Sequence, residues 1–223
     1  MTSAIRTVLY DLDGTILDTN ELIIQSFLHA LQDVVPVDFG RDQIIPSMGQ
    51  PLINQMQLFS NLEEVSHLIS RYREFNLRQH DEFVKPFPYV AEVMARLQQQ
   101  GLQQGIVTTK IRLTTEKGLR FTGIYDYVTP GAIVTIDDVE QAKPHPEPIL
   151  KAIAALGADP ATTIMVGDST VDMIAAEAAG CIPVGVAWSL KGETILRENG
   201  AKHIIHDMRD LYELLGMERE PIA

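Results

Sequence analysis

Short apolar runs recur along the chain, and most end on a hydroxyl, a carboxylate or a glycine. They are Thr7-Val8-Leu9-Tyr10, Gly105-Ile106-Val107, Thr163-Ile164-Met165-Val166, Val184-Gly185-Val186-Ala187 and His203-Ile204-Ile205, with a shorter one from Ala132 to Thr135. Runs of this length suit strands that are covered on both faces. Between them, apolar residues fall at helical spacing. Pro88 suits the first turn of a helix carrying Val90, Val93, Met94 and Leu97, with Gly101 as its stop. Another helix is expected from about Leu113 to Gly123. A third opens at Pro146 and Pro148 and runs to Gly157, and a fourth runs to Ala179 before Gly180. Strands alternating with helices imply parallel pairing through right-handed crossovers. The expected fold is α/β, a doubly wound, Rossmann-like sheet.

From about 17 to 84 the pattern is different. Leu22, Ile23, Phe27, Leu28 and Leu31 lie at helical spacings, with Asn20 as the expected N-cap. Asn61 followed by Glu64 resembles a capping box that opens a second long helix, whose apolar face is Val65, Leu68, Ile69, Tyr72 and Phe75. No strand is expected in this block. The predicted organisation is therefore an α/β core from 1–16 and 85–223, with a helical cap, 17–84, inserted just after the first strand.

At 223 residues, with 45% hydrophobic and 22% charged residues, the chain has room for a sizeable core. Its net charge of -12 argues against binding nucleic acid. An anionic substrate would have to be drawn by a local cationic pocket or a metal. The single cysteine, Cys181, excludes a disulfide framework within the chain and points to a reducing cytoplasm. Met1 to Arg6 lacks the apolar core of a signal peptide, and no segment reaches the ~20 apolar residues that span a bilayer. A soluble protein without membrane attachment is expected.

The candidate chemistry gathers where strands end. Asp11 and Asp13 follow the first run, and residues two apart on an extended segment point the same way. Two such carboxylates repel unless a cation or a proton offsets their charge. Gly14 allows a tight turn that leaves amides free for an anion. Thr108 and Thr109 close the second strand with hydroxyls that can reach a phosphate oxygen. Lys143 offers a compact positive charge, and Asp168 and Asp172, four apart at a helix start, can face one metal shell. Taken singly, each has a plain reading: an Asp-Gly turn, hydroxyls satisfying backbone, a solvated lysine, an N-cap. Together they lie along the one sheet edge where open parallel sheets bind ligands. A carboxylate can attack phosphorus, a neighbouring acid can move the proton, and Mg2+ suits hard oxygen ligands.

Asp11-Leu12-Asp13-Gly14-Thr15, Ile106-Val107-Thr108, Lys143-Pro144 and Gly167-Asp168-Ser169 with Asp172 resemble the four motifs of the haloacid dehalogenase superfamily. The resemblance spans the chain and includes a helical cap after the first motif. It implies Asp11 as nucleophile and Asp13 as general acid/base. It further implies Thr108 and Lys143 on the phosphate, and Mg2+ on Asp11, the Asp13 carbonyl and Asp168, with Asp172 in support. An aspartate at position 13 points to the phosphatase branch. Within it, Asn20-Glu21-Leu22-Ile23-Ile24, Tyr72 to Leu77, Gly105 to Arg112 and Val186-Ala187-Trp188 are similar to the pyrophosphatases associated with HPr kinase/phosphorylase. Phosphoglycolate phosphatases share the same catalytic set. Tyr10 departs from the usual phenylalanine, and His145 from a frequent aspartate. The expected activity is Mg2+-dependent phosphohydrolysis through an aspartyl-phosphate, with pyrophosphate ahead of phosphoglycolate or another small phosphomonoester. Lys110, Arg112 and Lys191 are candidates to meet a second anion. The alternative from another class is a phospho-accepting receiver domain, against which Asp13 and the inserted block argue.

Overall fold

The computed structural model describes residues 5–219, so the outermost parts of the expected core segments, 1–4 and 220–223, lie outside the described residues. The chain runs β1 (Thr7–Tyr10), β2 (Leu17–Asp18), α1 (Asn20–Leu31), α2 (Arg41–Ile44), α3 (Leu52–Ser60), α4 (Ser66–Phe83), β3 (Lys85–Pro86) and α5 (Val90–Gln99). It continues with β4 (Gln103–Val107), α6 (Arg112–Phe121), β5 (Ile133–Val134), α7 (Glu147–Leu156), β6 (Thr163–Gly167), α8 (Thr170–Ala178), β7 (Ile182–Val186), α9 (Glu193–Glu198), β8 (His203–Ile205) and α10 (Leu211–Leu214). Six strands form one sheet in the order β5-β4-β1-β6-β7-β8, and every pairing in it is parallel. This is the doubly wound α/β sheet the pattern predicts.

Alternation along the strands divides the core between the two faces. Val8, Tyr10, Ile106, Ile164 and Val166 join the α5 and α10 side, with Val93, Met94 and Leu211. Leu9, Val107 and Met165 face the other way, against Ile149 and Ala152 of α7 and Ala175 and Ala176 of α8. Cys181 packs into this second face, as a small apolar residue does. β4 begins two residues earlier than the apolar run indicates. Gln103 and Gln104 are in the ladder, opposite Thr7 and Val8. Gln104 is fully buried and satisfied: Tyr10 donates its hydroxyl to Oε1 at 3.0 Å, and Nε2 donates to the Met94 and Tyr127 carbonyls. The Tyr10 hydroxyl thus answers a buried amide oxygen that a phenylalanine would leave unpaired.

The inserted block has a core of its own. Ile24, Phe27, Leu31, Ile44, Met56 and Leu68 form a separate buried cluster, with Phe27 against the rings of Phe59 and Tyr72. The block is not entirely helical. Leu17–Asp18 pairs antiparallel with Lys85–Pro86, so the chain leaves and re-enters the core through a two-stranded ribbon. Two-residue strands carry no periodicity, and nothing in the sequence could reveal them. Two expected caps also move. α1 is capped at Thr19, with Asn20 already helical. Asn61 ends α3 in the left-handed region at φ 55°, while Glu64 accepts from the Ser66 amide at the start of α4.

Candidate active site

The sheet register brings the motif residues to one edge. Tyr10 pairs with both Ile106 and Val166, so Asp11, Thr108 and Asp168 emerge from three adjacent strands. The ladder continues into them: the Asp11 amide donates to the Val166 carbonyl at 2.9 Å, and the Thr108 amide to the Val134 carbonyl at 3.0 Å. Gly14 then turns the chain at φ 82°. A Cβ there would lie 2.4 Å from Asp168 Oδ2, so only glycine lets this turn pass so close to the carboxylate.

Lys143 is the hub. Its side chain is 2% exposed, and its ammonium donates to Asp11 Oδ1 at 2.8 Å, to Asp172 Oδ1 at 2.5 Å and to the Val107 carbonyl at 2.9 Å. An ammonium has three protons, and all three are engaged. Burial alone would lower the Lys143 pKa, but Asp11 and Asp172 outweigh it and hold it above the usual lysine range. Asp172 is locked from the other side, since its Oδ2 accepts from the Ser169 amide and hydroxyl at 3.0 and 2.6 Å. Ser169 is the cap of α8, where the plain reading had placed Asp168. Asp168 is thereby left free to serve the site.

Carboxylate oxygens of Asp11, Asp168 and Asp172 lie within 4.8 Å of one another, and all three residues are buried. The Asp168 side chain receives no hydrogen bond from any described residue, although Ser189 holds its backbone carbonyl at 2.6 Å. Burial, then the charges of Asp11 and Asp172, push its pKa well above the usual carboxylate range. Burial likewise pushes Asp11 up to about 7, against the opposing pull of Lys143. Three clustered carboxylates against one buried ammonium leave excess negative charge. Nearby, Asn20 Oδ1 and Thr15 Oγ1 are buried with no partner among the described residues. An all-oxygen donor set with uncompensated charge fits a hard divalent cation. Asp11 and Asp168 are the residues placed to hold it.

Asp13 faces the same cavity but is held separately. Lys110 Nζ lies 2.9 and 3.0 Å from its two oxygens, and Thr19 donates to Oδ1 at 2.7 Å. Thr108 is buried on the cavity wall, and its Oγ1 accepts from the Lys110 amide at 3.2 Å. Thr109 lines the cavity too, but its hydroxyl donates to the Gly49 carbonyl at 3.1 Å. That contact joins the core to the cap loop. Lys191 makes a second such contact, donating to the Met48 carbonyl. Arg112 does not reach the site: its guanidinium is bound to Asp138 at 2.6 Å and to the Ile133 carbonyl at 3.0 Å. His145 accepts from the Glu147 amide at the start of α7. Thr19 and Ser189 give no signal in the sequence, and Ser169 carries none beyond its place in a motif, because an isolated hydroxyl is uninformative until its partner is known.

The cavity above this edge has a volume of about 640 Å³ and is walled jointly by the core loops and the cap helices. The parallel sheet thus presents a buried carboxylate cluster and a buried lysine beneath the inserted helices. The chain belongs to the haloacid dehalogenase-like hydrolase family, whose profile matches residues 8–186. It is an enzyme, a phosphohydrolase of that family, and not a signalling receiver domain. It is similar to pyrophosphatase PpaX of Bacillus velezensis, 42% identical over 216 residues, covering 96% of this chain and 98% of the relative. PpaX of Bacillus cereus is 43% identical over 214 residues, covering 95% and 97%. Among solved structures, a haloacid dehalogenase-like hydrolase of Bacteroides fragilis superposes with a TM-score of 0.83 at 27% identity, covering 93% of this chain and 99% of that one. A Lactobacillus plantarum protein described as a phosphoglycolate phosphatase shares the fold, with a TM-score of 0.85 at 21% identity and 95% and 100% coverage. No helix among the described residues is long and apolar enough to cross a membrane.

Proposed function

We propose that the enzyme hydrolyses inorganic pyrophosphate with Mg2+, through a phosphorylated Asp11. The observation that carries the chemistry is Asp11 itself: a carboxylate at the cavity floor, fixed by Lys143 at 2.8 Å, with the Asp168 carboxylate beside it. Lys143 aligns Asp11 and opposes the effect of burial by favouring its ionised form, so that one oxygen can attack phosphorus. Asp13 delivers a proton to the leaving phosphate oxygen and then takes one from the water that hydrolyses the aspartyl-phosphate. The Thr108 hydroxyl and the backbone at Gly14 serve the transferred phosphoryl oxygens. Asp11, Asp168 and the Asp13 carbonyl would hold Mg2+, with Asp172 supporting, and the ion would neutralise charge on the phosphoryl group. Thr109 acts through the cap loop as well as on the cavity wall. The block 17–84 serves as the cap, and 1–16 with 85–223 as the catalytic core.

The substrate reading is supported by two PpaX relatives above 40% identity over nearly the whole chain. Phosphoglycolate is the second reading, since it too combines a phosphoryl group with another anion. A cytoplasmic setting suits a chain with one cysteine. Side-by-side kinetics at saturating Mg2+ test the proposal. kcat/KM for pyrophosphate should exceed that for phosphoglycolate, and acid-quenched enzyme should carry phosphate on Asp11. A clear preference for phosphoglycolate would overturn the substrate while leaving the mechanism standing.

A further inference from the structure

One face of α4 looks into the cavity. Ser66, Ile69, Ser70, Arg73, Asn76 and Leu77 all line it, at the three- and four-residue spacing of a single helical stripe. Arg73 stands in this stripe with Ile69 and Leu77 one turn to either side. The helix carries two other arginines, and both are partnered. Arg71 donates to the His29 carbonyl and to Asp33 at 3.2 Å each, and Arg78 lies 3.8 Å from Glu74. Arg73 has no hydrogen-bond, ion-pair or ring partner among the described residues. Arg73 is solvent-exposed at the cavity wall, in a chain of net charge -12. Two acids of the cavity are already matched, Asp11 by Lys143 and Asp13 by Lys110, while Asp168 belongs to the buried carboxylate cluster that fits a cation.

We propose that Arg73 is a specificity residue, whose guanidinium holds the second anionic group of the substrate, the part not transferred to Asp11. The assignment deepens the pyrophosphatase reading and rests on it. The core's own cations leave that group uncovered. All three Lys143 protons have acceptors, Lys110 is bonded to both Asp13 oxygens, and Lys191 donates to the Met48 carbonyl. The wall facing them includes Phe27, Leu52 and Ile69, which offer an anion nothing. A phosphate moved from water into such a chamber needs charged donors. A guanidinium supplies two parallel N–H groups to two oxygens of one phosphate, a geometry lysine does not match. A monoester whose leaving group is uncharged would make no use of it.

Steady-state kinetics of Arg73→Gln and Arg73→Lys on pyrophosphate and on p-nitrophenyl phosphate test the assignment, with Arg78→Gln as a control for lost charge on the same helix. For R73Q, KM for pyrophosphate should rise and kcat/KM fall roughly ten- to a hundredfold, the size of a charged hydrogen bond. Its p-nitrophenyl phosphate kinetics should be unchanged, R73K should recover part of the loss, and R78Q should alter neither substrate. Equal losses on both substrates, or no loss on pyrophosphate, would overturn the role. Failure of the underlying substrate reading looks different: the wild-type enzyme would itself prefer phosphoglycolate. R73Q should then lose the same factor on phosphoglycolate, and an undiminished rate there would overturn the assignment independently.

Discussion

At the sheet end of the cavity, Lys143 gives its three protons to three acceptors, and Asp172 takes hydrogen bonds on both oxygens. At the cap end, Arg73 is exposed and has no hydrogen-bond or ion-pair partner among the described residues, on a stripe shared with Ile69, Ser70, Asn76 and Leu77. The sheet end is over-determined because a nucleophile must be held within a fraction of an ångström of its line of attack. The cap end keeps a donor in reserve, because its partner arrives with the substrate. The two ends also stand on separate cores, one beneath the sheet and one within the inserted helices. In the proposed mechanism reactivity and selection rest on different cores, so each should be open to damage without the other.

The largest effect should come from the sheet end. Asp11→Asn keeps the shape but removes the nucleophile, so phosphate release should vanish while the circular dichroism spectrum stays native. Asp13→Asn retains the nucleophile and loses the proton shuttle, a fall of about 10²–10⁴ in kcat. Near wild-type turnover in D11N would refute covalent catalysis.

Next comes the metal. Excess chelator should abolish turnover and Mg2+ should restore it, whereas the looser coordination of Ca2+ should not. Stability supplies an independent readout. Asp11 and Asp168 have raised pKa values in the fold, so the metal-free folded state binds protons more tightly than the unfolded chain. That advantage exists at low pH and is lost as pH climbs from the ordinary carboxylate range through about 7 for Asp11. A divalent cation replaces the missing protons, so the gain in Tm on adding Mg2+ should be larger at pH 8 than at pH 5.5. An equal or reversed gain would count against the site.

Cap damage should be smaller and local. Phe27→Ala opens a cavity among Phe59, Tyr72 and Leu31, at about 3–5 kcal/mol. Hydrogen exchange should accelerate in α1 and α4 while α7 and α8 stay protected. Uniform acceleration would show that the two cores unfold as one. The smallest change expected is Tyr10→Phe, which unpairs Gln104 Oε1 inside the sheet and should lower stability by about 1–3 kcal/mol in chemical denaturation, with little change in kcat.

The fold and the gathering of acids and hydroxyls at one sheet edge were largely legible because both rest on local signals: apolar runs, helix stops, and acids or hydroxyls where strands end. What escaped depends on pairing across distance. Gln104 reads as loop because its burial is permitted only by Tyr10, Met94 and Tyr127, and Gln103 because its partners, the Thr7 hydroxyl and the Leu156 carbonyl, are distant in sequence. Lys110 and Arg112 looked equivalent, two basic residues after one strand, yet one turns to Asp13 and the other to Asp138. Thr109 carried the same hydroxyl as Thr108 but found the cap loop instead of remaining committed to the site. Arg73 lay within a stretch noted only for its resemblance, since the absence of a partner cannot be read from a sequence.

The ribbon of β2 and β3 has a consequence for how such a protein could arise. Asp18 lies directly opposite Lys85, so everything between them departs and returns at one point on the core. A two-residue hairpin could close that gap in place of the whole helical block. The core would keep its strand order, its crossovers and its edge of acids. A gene for the core alone and a gene for the full chain would thus differ by one insertion at this ribbon, with contacts such as Leu22 in the core and Thr109 to Gly49 gained along with it. New selectivity could be tried by exchanging that insert, while the inherited chemistry beneath it continued unaltered.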